Sequence, residues 1–194
     1  MRVLIACEES QTACIAFRER GHIAYSCDLQ ECSGGHPEWH IRGDCVPVIE
    51  NGCWDLIIAH PPCTYLSIAG AVYMYLKDGS LNAQRYQKMI QAREFFMYFY
   101  NLQGVRLCIE NPRVMAMAQL PKYTQTIQPY QFGDDYTKKT LLWLKDLPYL
   151  IPLNYGYNDR FIEGIPSYVG THYGSKSRSK SFEGIAKAMA NQWG

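Results

Sequence analysis

Residues Trp54–Ser67, WDLIIAHPPCTYLS, decide how the chain is read. Asp55 to Ala59 has the apolar, β-branched character of a short strand buried in a parallel sheet. His60-Pro61-Pro62 ends it, because proline brings no N–H to a central ladder. The first reactive side chain past that stop is the thiol of Cys63. In open α/β sheets ligands gather outside the carboxyl ends of strands, so chemistry is expected here. With 10 Pro and 8 Cys in 194 residues, chance supplies a Pro-Cys pair about 0.4 times. Position carries the reading, not the dipeptide.

Outward from this stretch the chain alternates strands and helices. Arg2–Cys7 is an apolar run read as the first strand. The loop Glu8-Glu9-Ser10 follows, with Ser10 as the expected N-cap of a helix over Gln11–Arg20 that stops at Gly21. His22–Cys27 is the second strand and delivers Asp28; a carboxylate so placed in nucleoside-binding α/β folds takes ribose hydroxyls. After a Gly/Pro/His loop over Glu31–Gly43, Val46–Ile49 reads as a short third strand, and the opening stretch supplies the fourth. Ser80–Asn101 has helical apolar spacing, and Val105–Ile109 is a fifth strand delivering Glu110-Asn111-Pro112. This succession predicts right-handed crossovers and an α/β fold with a mostly parallel sheet. Thr124–Tyr130 and Thr140–Leu144 look like an antiparallel appendage, Leu150–Ser181 like a long irregular excursion, and Phe182–Trp193 like a closing helix. A single domain over 1–194 is expected.

Composition narrows the setting. The chain is 47% hydrophobic and 19% charged, with net charge +1, which is ordinary for a globular protein. Residues 1–100 hold 8 Lys/Arg against 11 Asp/Glu, and residues 101–194 hold 11 against 7, so a polyanion is expected at the second half. The N-terminal apolar run is too short for a signal peptide, and no apolar run approaches the ~20 residues of a membrane span. A soluble cytoplasmic protein with mostly free thiols is expected.

Two strands thus end in Pro-punctuated polar motifs, Pro61-Pro62-Cys63 and Glu110-Asn111-Pro112, which would place a thiol and a carboxylate over one crevice. The order of these segments resembles the S-adenosylmethionine-dependent DNA cytosine-5 methyltransferases, especially short phage-encoded ones. The resemblance implies a Rossmann-like methyltransferase fold with helices on both faces of the sheet, S-adenosyl-L-methionine as cofactor, DNA as substrate and, for a phage protein, the host bacterial cytoplasm. It implies Cys63 as nucleophile, Glu110 as the acid at the cytosine ring's third nitrogen, Asn111 as the residue orienting the loop, and Lys139 as a basic residue near the base. Glu110 in that role requires a carboxyl group with a raised pKa. For the cofactor it implies Asp28 on the ribose, Asp44 on the adenine amine, and the main chain of Ala6, Cys7 and His60 at the methionine end. The first loop departs from the family's glycine-rich one, which points to Glu8 or Ser10 at the methionine ammonium. Lys138, Lys176, Arg178 and Lys180 are the phosphate partners expected. Only about 145–181 stands where the larger enzymes carry a target-recognition region, so a single-stranded target or relaxed specificity fits its size.

Other readings stand beside these. As lesser alternatives, Cys63 reads as an inert buried thiol, Glu110 as a capping carboxylate and Asp28 as the end of a strand; Lys176–Lys180 reads equally as a solvated loop. The same chemistry would serve a free cytidine nucleotide or RNA, and a non-catalytic phage binder of S-adenosylmethionine or DNA would share the fold. His60-Pro61-Pro62-Cys63 is also similar to the Asp-Pro-Pro-aromatic loop of amino-group methyltransferases, although a cysteine cannot stack on a base. No Gly-x-Gly-x-x-Gly follows the first strand, which argues against a dinucleotide-dependent oxidoreductase. Among Cys27, Cys32, His36 and His40, the three residues between Cys32 and His36 are fewer than separate the ligand pairs of common zinc sites, and no metal is expected.

Overall fold

The computed structural model of the protein describes residues 1–152 and 182–194. Of the expected excursion only 145–152 falls within them, and Lys176, Arg178 and Lys180 lie outside. The strands are β1 Arg2–Ala6, β2 Ile23–Asp28, β3 His40–Arg42, β4 Leu56–Ala59, β5 Arg106–Pro112, β6 Gln125–Ile127 and β7 Thr140–Lys145. They form one sheet in the order β3-β2-β1-β4-β5-β7-β6. β1 to β5 pair in parallel, and β7 runs antiparallel to both of its neighbours. The helices are α1 Thr12–Glu19, α2 Cys45–Glu50, α3 Ala83–Asn101 and α4 Glu183–Trp193.

Side chains of β1 and β4 alternate between two apolar layers. Val3, Ile5, Leu56 and Ile58 meet Phe17 of α1 and Met189 and Trp193 of α4. Leu4 and Ile57 meet Ile49 of α2 and Met89, Phe96 and Phe99 of α3. Helices therefore cover both faces, and the architecture is the Rossmann-like α/β one expected. Double coverage is the reason these strands read as unbroken apolar runs. Each large side chain so buried contributes on the order of 1.5–3 kcal/mol.

Three local expectations are corrected. Residues 46–49 are helical, inside α2, because the Asp44 carboxylate accepts the Val46 N–H at 3.0 Å and Pro47 falls in the first turn, where no intrahelical N–H is needed. The third strand is instead His40–Arg42. Ser10 is not the cap of α1: Gln11 holds that position in a left-handed conformation, and the Glu8 carboxylate takes the Ala13 and Cys14 N–H groups at 2.7 and 3.2 Å. Finally, Glu110 and Asn111 belong to β5 itself. Pairing with β4 ends at Ile109, while β7 continues the ladder opposite Glu110, Asn111 and Pro112.

Candidate active site

The site grows from the register between β4 and β5. Ala59 pairs with Ile109, which sets His60 and Glu110 side by side. The His60 backbone N–H continues the ladder to the Ala6 carbonyl at 2.9 Å, and its Nδ1 lies 3.1 Å from Glu110 Oε2. Asn111, only 1% exposed, donates its side-chain amide to the Pro61 carbonyl at 2.8 Å. Past Pro62 the chain turns on Cys63, whose carbonyl accepts the Leu66 and Ser67 N–H groups. The Ile68 N–H to Arg113 carbonyl and Met115 N–H to Leu66 carbonyl bonds then stitch this loop to the chain beyond β5. The thiol loop and the carboxylate strand are one hydrogen-bonded unit.

A cleft of about 300 Å³ opens at the carboxyl ends of the strands. Its wall brings together Cys7, Glu8 and Ser10 of the first loop, Asp28 at the end of β2, and His60, Cys63, Glu110, Asn111 and Lys138. Ala6 is outside that wall; it is fully buried and its carbonyl is taken by His60. Asp44 is exposed and spends one carboxylate oxygen on the cap of α2. Lys139 is exposed and outside the wall, whereas Lys138 is half-buried within it. Lys138, one position before the basic residue expected, is the lysine that lines the cleft.

The first loop makes its tight turn without glycine. Cys7 and Gln11 adopt φ +61° and +60°, which costs a non-glycine residue on the order of 1 kcal/mol each. The loop is braced by contacts that offset this cost. The Gln11 side chain exchanges two hydrogen bonds with the His36 backbone, at 2.8 and 3.0 Å. The Ser33 N–H reaches the Glu9 carbonyl at 2.8 Å. Of the four candidate zinc ligands, Cys27 is in the core, His36 stacks on Trp39, and His40 bonds Ser26 and the Gln30 carbonyl.

Charge states follow from the company these groups keep. Burial pushes His60 down, but the hydrogen bond to Glu110 and the charges of Glu110 and Glu8 outweigh it and hold the imidazole above its usual value. Burial pushes Glu110 up, yet the His60 hydrogen bond and the charges of Lys138 and His60 bring it below the usual carboxylate range. The raised carboxyl expected for Glu110 is therefore corrected: in the free protein it is an ionised partner of His60. Burial and the Glu110 charge raise the Cys63 thiol, with Lys138 opposing, so Cys63 rests protonated. Glu8 is raised by burial, against the pull of His60 and of the two N–H groups it accepts. His60 Nε2 and Asn111 Oδ1 are buried and have no hydrogen-bond partner in the described structure.

The imidazole of His60 is the group that sequence reasoning missed, having assigned only its main chain. Its position at the strand end was a signal, but the partner 50 residues away depends on strand register.

Fold and cleft define a Rossmann-like α/β protein with a thiol and a His–Glu pair at the ends of adjacent strands. No family model matches the chain, and no curated protein matches it. Among solved structures, it is similar to an E. coli protein provisionally described as a DNA modification methyltransferase encoded within a prophage, at 12% identity and a TM-score of 0.49. The match covers 78% of this chain and 51% of the other, so the chain spans about half the length of that neighbour.

Proposed function

We propose that the protein transfers a methyl group from S-adenosylmethionine to carbon 5 of cytosine in DNA, with Cys63 as covalent nucleophile. The supporting observation is that Cys63 and Glu110 share one cleft wall, tied together by the Asn111–Pro61 hydrogen bond.

The cleft's other residues suit the cofactor. Asp28 gives one oxygen to the Gln30 N–H at 2.9 Å, and its second oxygen serves a ribose hydroxyl. Ser10 supplies an acceptor for an ammonium group, whereas both Glu8 oxygens already take the Ala13 and Cys14 N–H groups and offer only their second lone pairs. Asp44 lies outside the cleft wall and serves the adenine amine only through the oxygen not used in capping α2. Bound there, S-adenosylmethionine supplies an electrophilic methyl group.

Carbon 5 of cytosine is a weak nucleophile. Cys63 passes its proton to Glu110 and its sulfur adds to carbon 6; Glu110 delivers that proton to the third ring nitrogen, so the electron pair displaced by the addition collects on carbon 5. The methyl would pass to carbon 5 with the donor sulfonium leaving as a neutral thioether. Water takes the proton from carbon 5, and that electron pair re-forms the ring double bond as the Cys63 sulfur leaves carbon 6. The proton on the third ring nitrogen returns to Glu110 and from it to the Cys63 sulfur, so the ring regains its aromaticity and both side chains their resting states. Because the resting thiol is raised and the carboxylate lowered, proton transfer is unfavourable until a base is held against both. Lys138, whose charge acts on both Cys63 and Glu110, supports the anionic stages.

DNA containing 5-fluorocytosine tests this directly, because fluorine at carbon 5 cannot leave as a proton does. With S-adenosylmethionine the protein should form an adduct that survives denaturant, and Cys63→Ser should form none. An equal adduct yield from the serine variant refutes the covalent route. Labelled methyl offered in parallel to duplex DNA, single-stranded DNA, RNA and free nucleotides separates DNA from the other substrates.

A further inference from the structure

The chain between Cys63 and α3 has no role in the chemistry above, yet it is ordered. It runs through a short 3-10 segment, Ile68–Met74, into a hairpin closed by a bridge between Tyr75 and Leu81. Leu76 N–H reaches the Ser80 carbonyl at 2.8 Å, and Gly79, at φ +82°, makes the turn. The root of this arm is packed. Met74 is 1% exposed. A Cβ on Gly70 would stand 2.7 Å from the Thr64 carbonyl and 2.8 Å from Arg85 Nη2, so the arm is pressed against the loop that carries Cys63.

On this rooted frame the large side chains face outward. Val72, Tyr73, Tyr75 and Leu76 are 72, 62, 52 and 52% exposed. Neighbouring exposed apolar side chains of this size mark an interaction surface. The charge around them is mostly positive. Residues 64–93 carry Lys77, Arg85, Lys88 and Arg93 with Asp78 the one acid, whereas the rest of 1–100 carries Arg2, Arg18, Arg20 and Arg42 against ten acids. The arm is a basic island in the acidic half. Its cations also sit on its rings: the Arg85 guanidinium lies 5.1 Å from the centres of both Tyr65 and Tyr73, and Lys88 Nζ lies 5.6 Å from that of Tyr65.

We infer that the arm, residues 64–81 with Arg85 and Lys88, binds an unpaired nucleic-acid strand, with bases stacked on Tyr73 and Tyr75 and phosphates on Lys77, Arg85 and Lys88. Exposed aromatic rings interleaved with cations are the chemistry by which single strands are held, since every base offers a face to stack and every nucleotide a phosphate. A paired duplex hides those faces within its own stack. A second copy of this chain would match the apolar side chains but set like charges against each other. The proposal rests on the reading of Cys63 as acting on a cytosine in a polymer and names that substrate as single-stranded. It adds a polyanion contact in the segment that directly follows Cys63 to the one expected in the second half of the chain.

A fluorescein-labelled, cytosine-free 20-nucleotide DNA strand, titrated with the whole protein without methyl donor and followed by anisotropy, tests the arm apart from the chemistry. Single strand should bind at least tenfold more tightly than the same sequence as duplex. Replacing Tyr73 and Tyr75 together by alanine should weaken the single strand by about tenfold or more. A 5-bromouracil strand should photo-crosslink within residues 72–76, mapped by peptide mass spectrometry. Unchanged affinity in the double variant, equal affinity for duplex, or a protein dimer abolished by the same substitutions overturns the inference. An RNA strand of the same sequence, run alongside, distinguishes the sugar. Strand binding without any methyl transfer would leave the arm standing and remove the cytosine-5 reading; methyl transfer with unaltered binding in the variant would remove the arm alone.

Discussion

Replacing His60 by alanine should release Glu110 from the charge state it now holds. The two side chains are 11 and 18% exposed and meet at 3.1 Å. A hydrogen bond to a charged group contributes about 1.5–3 kcal/mol, and losing it moves the carboxyl upward. Without His60, burial acts on Glu110 against Lys138 alone, and the carboxyl should move up through the usual value of 4.5. The stability consequence depends on pH in a definite sense. Glu110 is depressed in the folded state, so its contribution is present above the usual 4.5 and is lost as pH falls through the folded value. His60 is raised, so its contribution is present below the usual 6.5 and is lost as pH rises through the folded value. Both are in force near pH 5.5, between those two usual values. Urea unfolding of the wild type, His60→Ala, Glu110→Gln and the double variant should give a coupling of about 1.5–3 kcal/mol near pH 5.5. The coupling should fall to about 0.5–1.5 kcal/mol as pH rises through the folded imidazole's own value, which NMR titration of His60 locates. A coupling that is absent near pH 5.5, or that does not fall across the imidazole's titration, would refute the charged pair.

Two further perturbations read the same unit. Asn111→Ala leaves the buried Pro61 carbonyl without its donor and should cost about 1–3 kcal/mol in urea unfolding; a loss below about 0.3 kcal/mol would mean the two loops are not held by this bond. Cys63 should react with iodoacetamide near neutral pH more slowly than a free cysteine, because burial and the Glu110 charge keep it a thiol. Glu110→Gln removes that charge and should speed alkylation of Cys63, as counted by peptide mass spectrometry, and no acceleration would show that the carboxylate does not act on the thiol.

Much of the sheet is legible in the chain itself. The apolar runs ending at Ala6, Ala59 and Ile109 announce strands buried on both faces, and the polar residues just beyond them, Glu8, Cys63 and Glu110, announce where chemistry collects. Short elements were less legible. Residues 46–49 look like a strand by composition, but a single Asp44 carboxylate at the first turn makes them a helix. The turn of the first loop lacks its usual glycine, and side-chain contacts from Gln11 to the His36 backbone hold the left-handed residues in place.

What the sequence by itself determined is therefore the class of fold and which thiol and which carboxylate stand at the strand ends, since burial patterns and strand-end residues are local properties of the chain. Tertiary structure alone decided their partners and their charge. Register between β4 and β5 placed an imidazole against Glu110 and turned an expected acid into an ionised carboxylate. The folded chain put Lys138, and not Lys139, in the cleft wall. A pKa and a hydrogen-bond partner belong to neighbours in space, and residues 60 and 110 become neighbours only when the sheet closes.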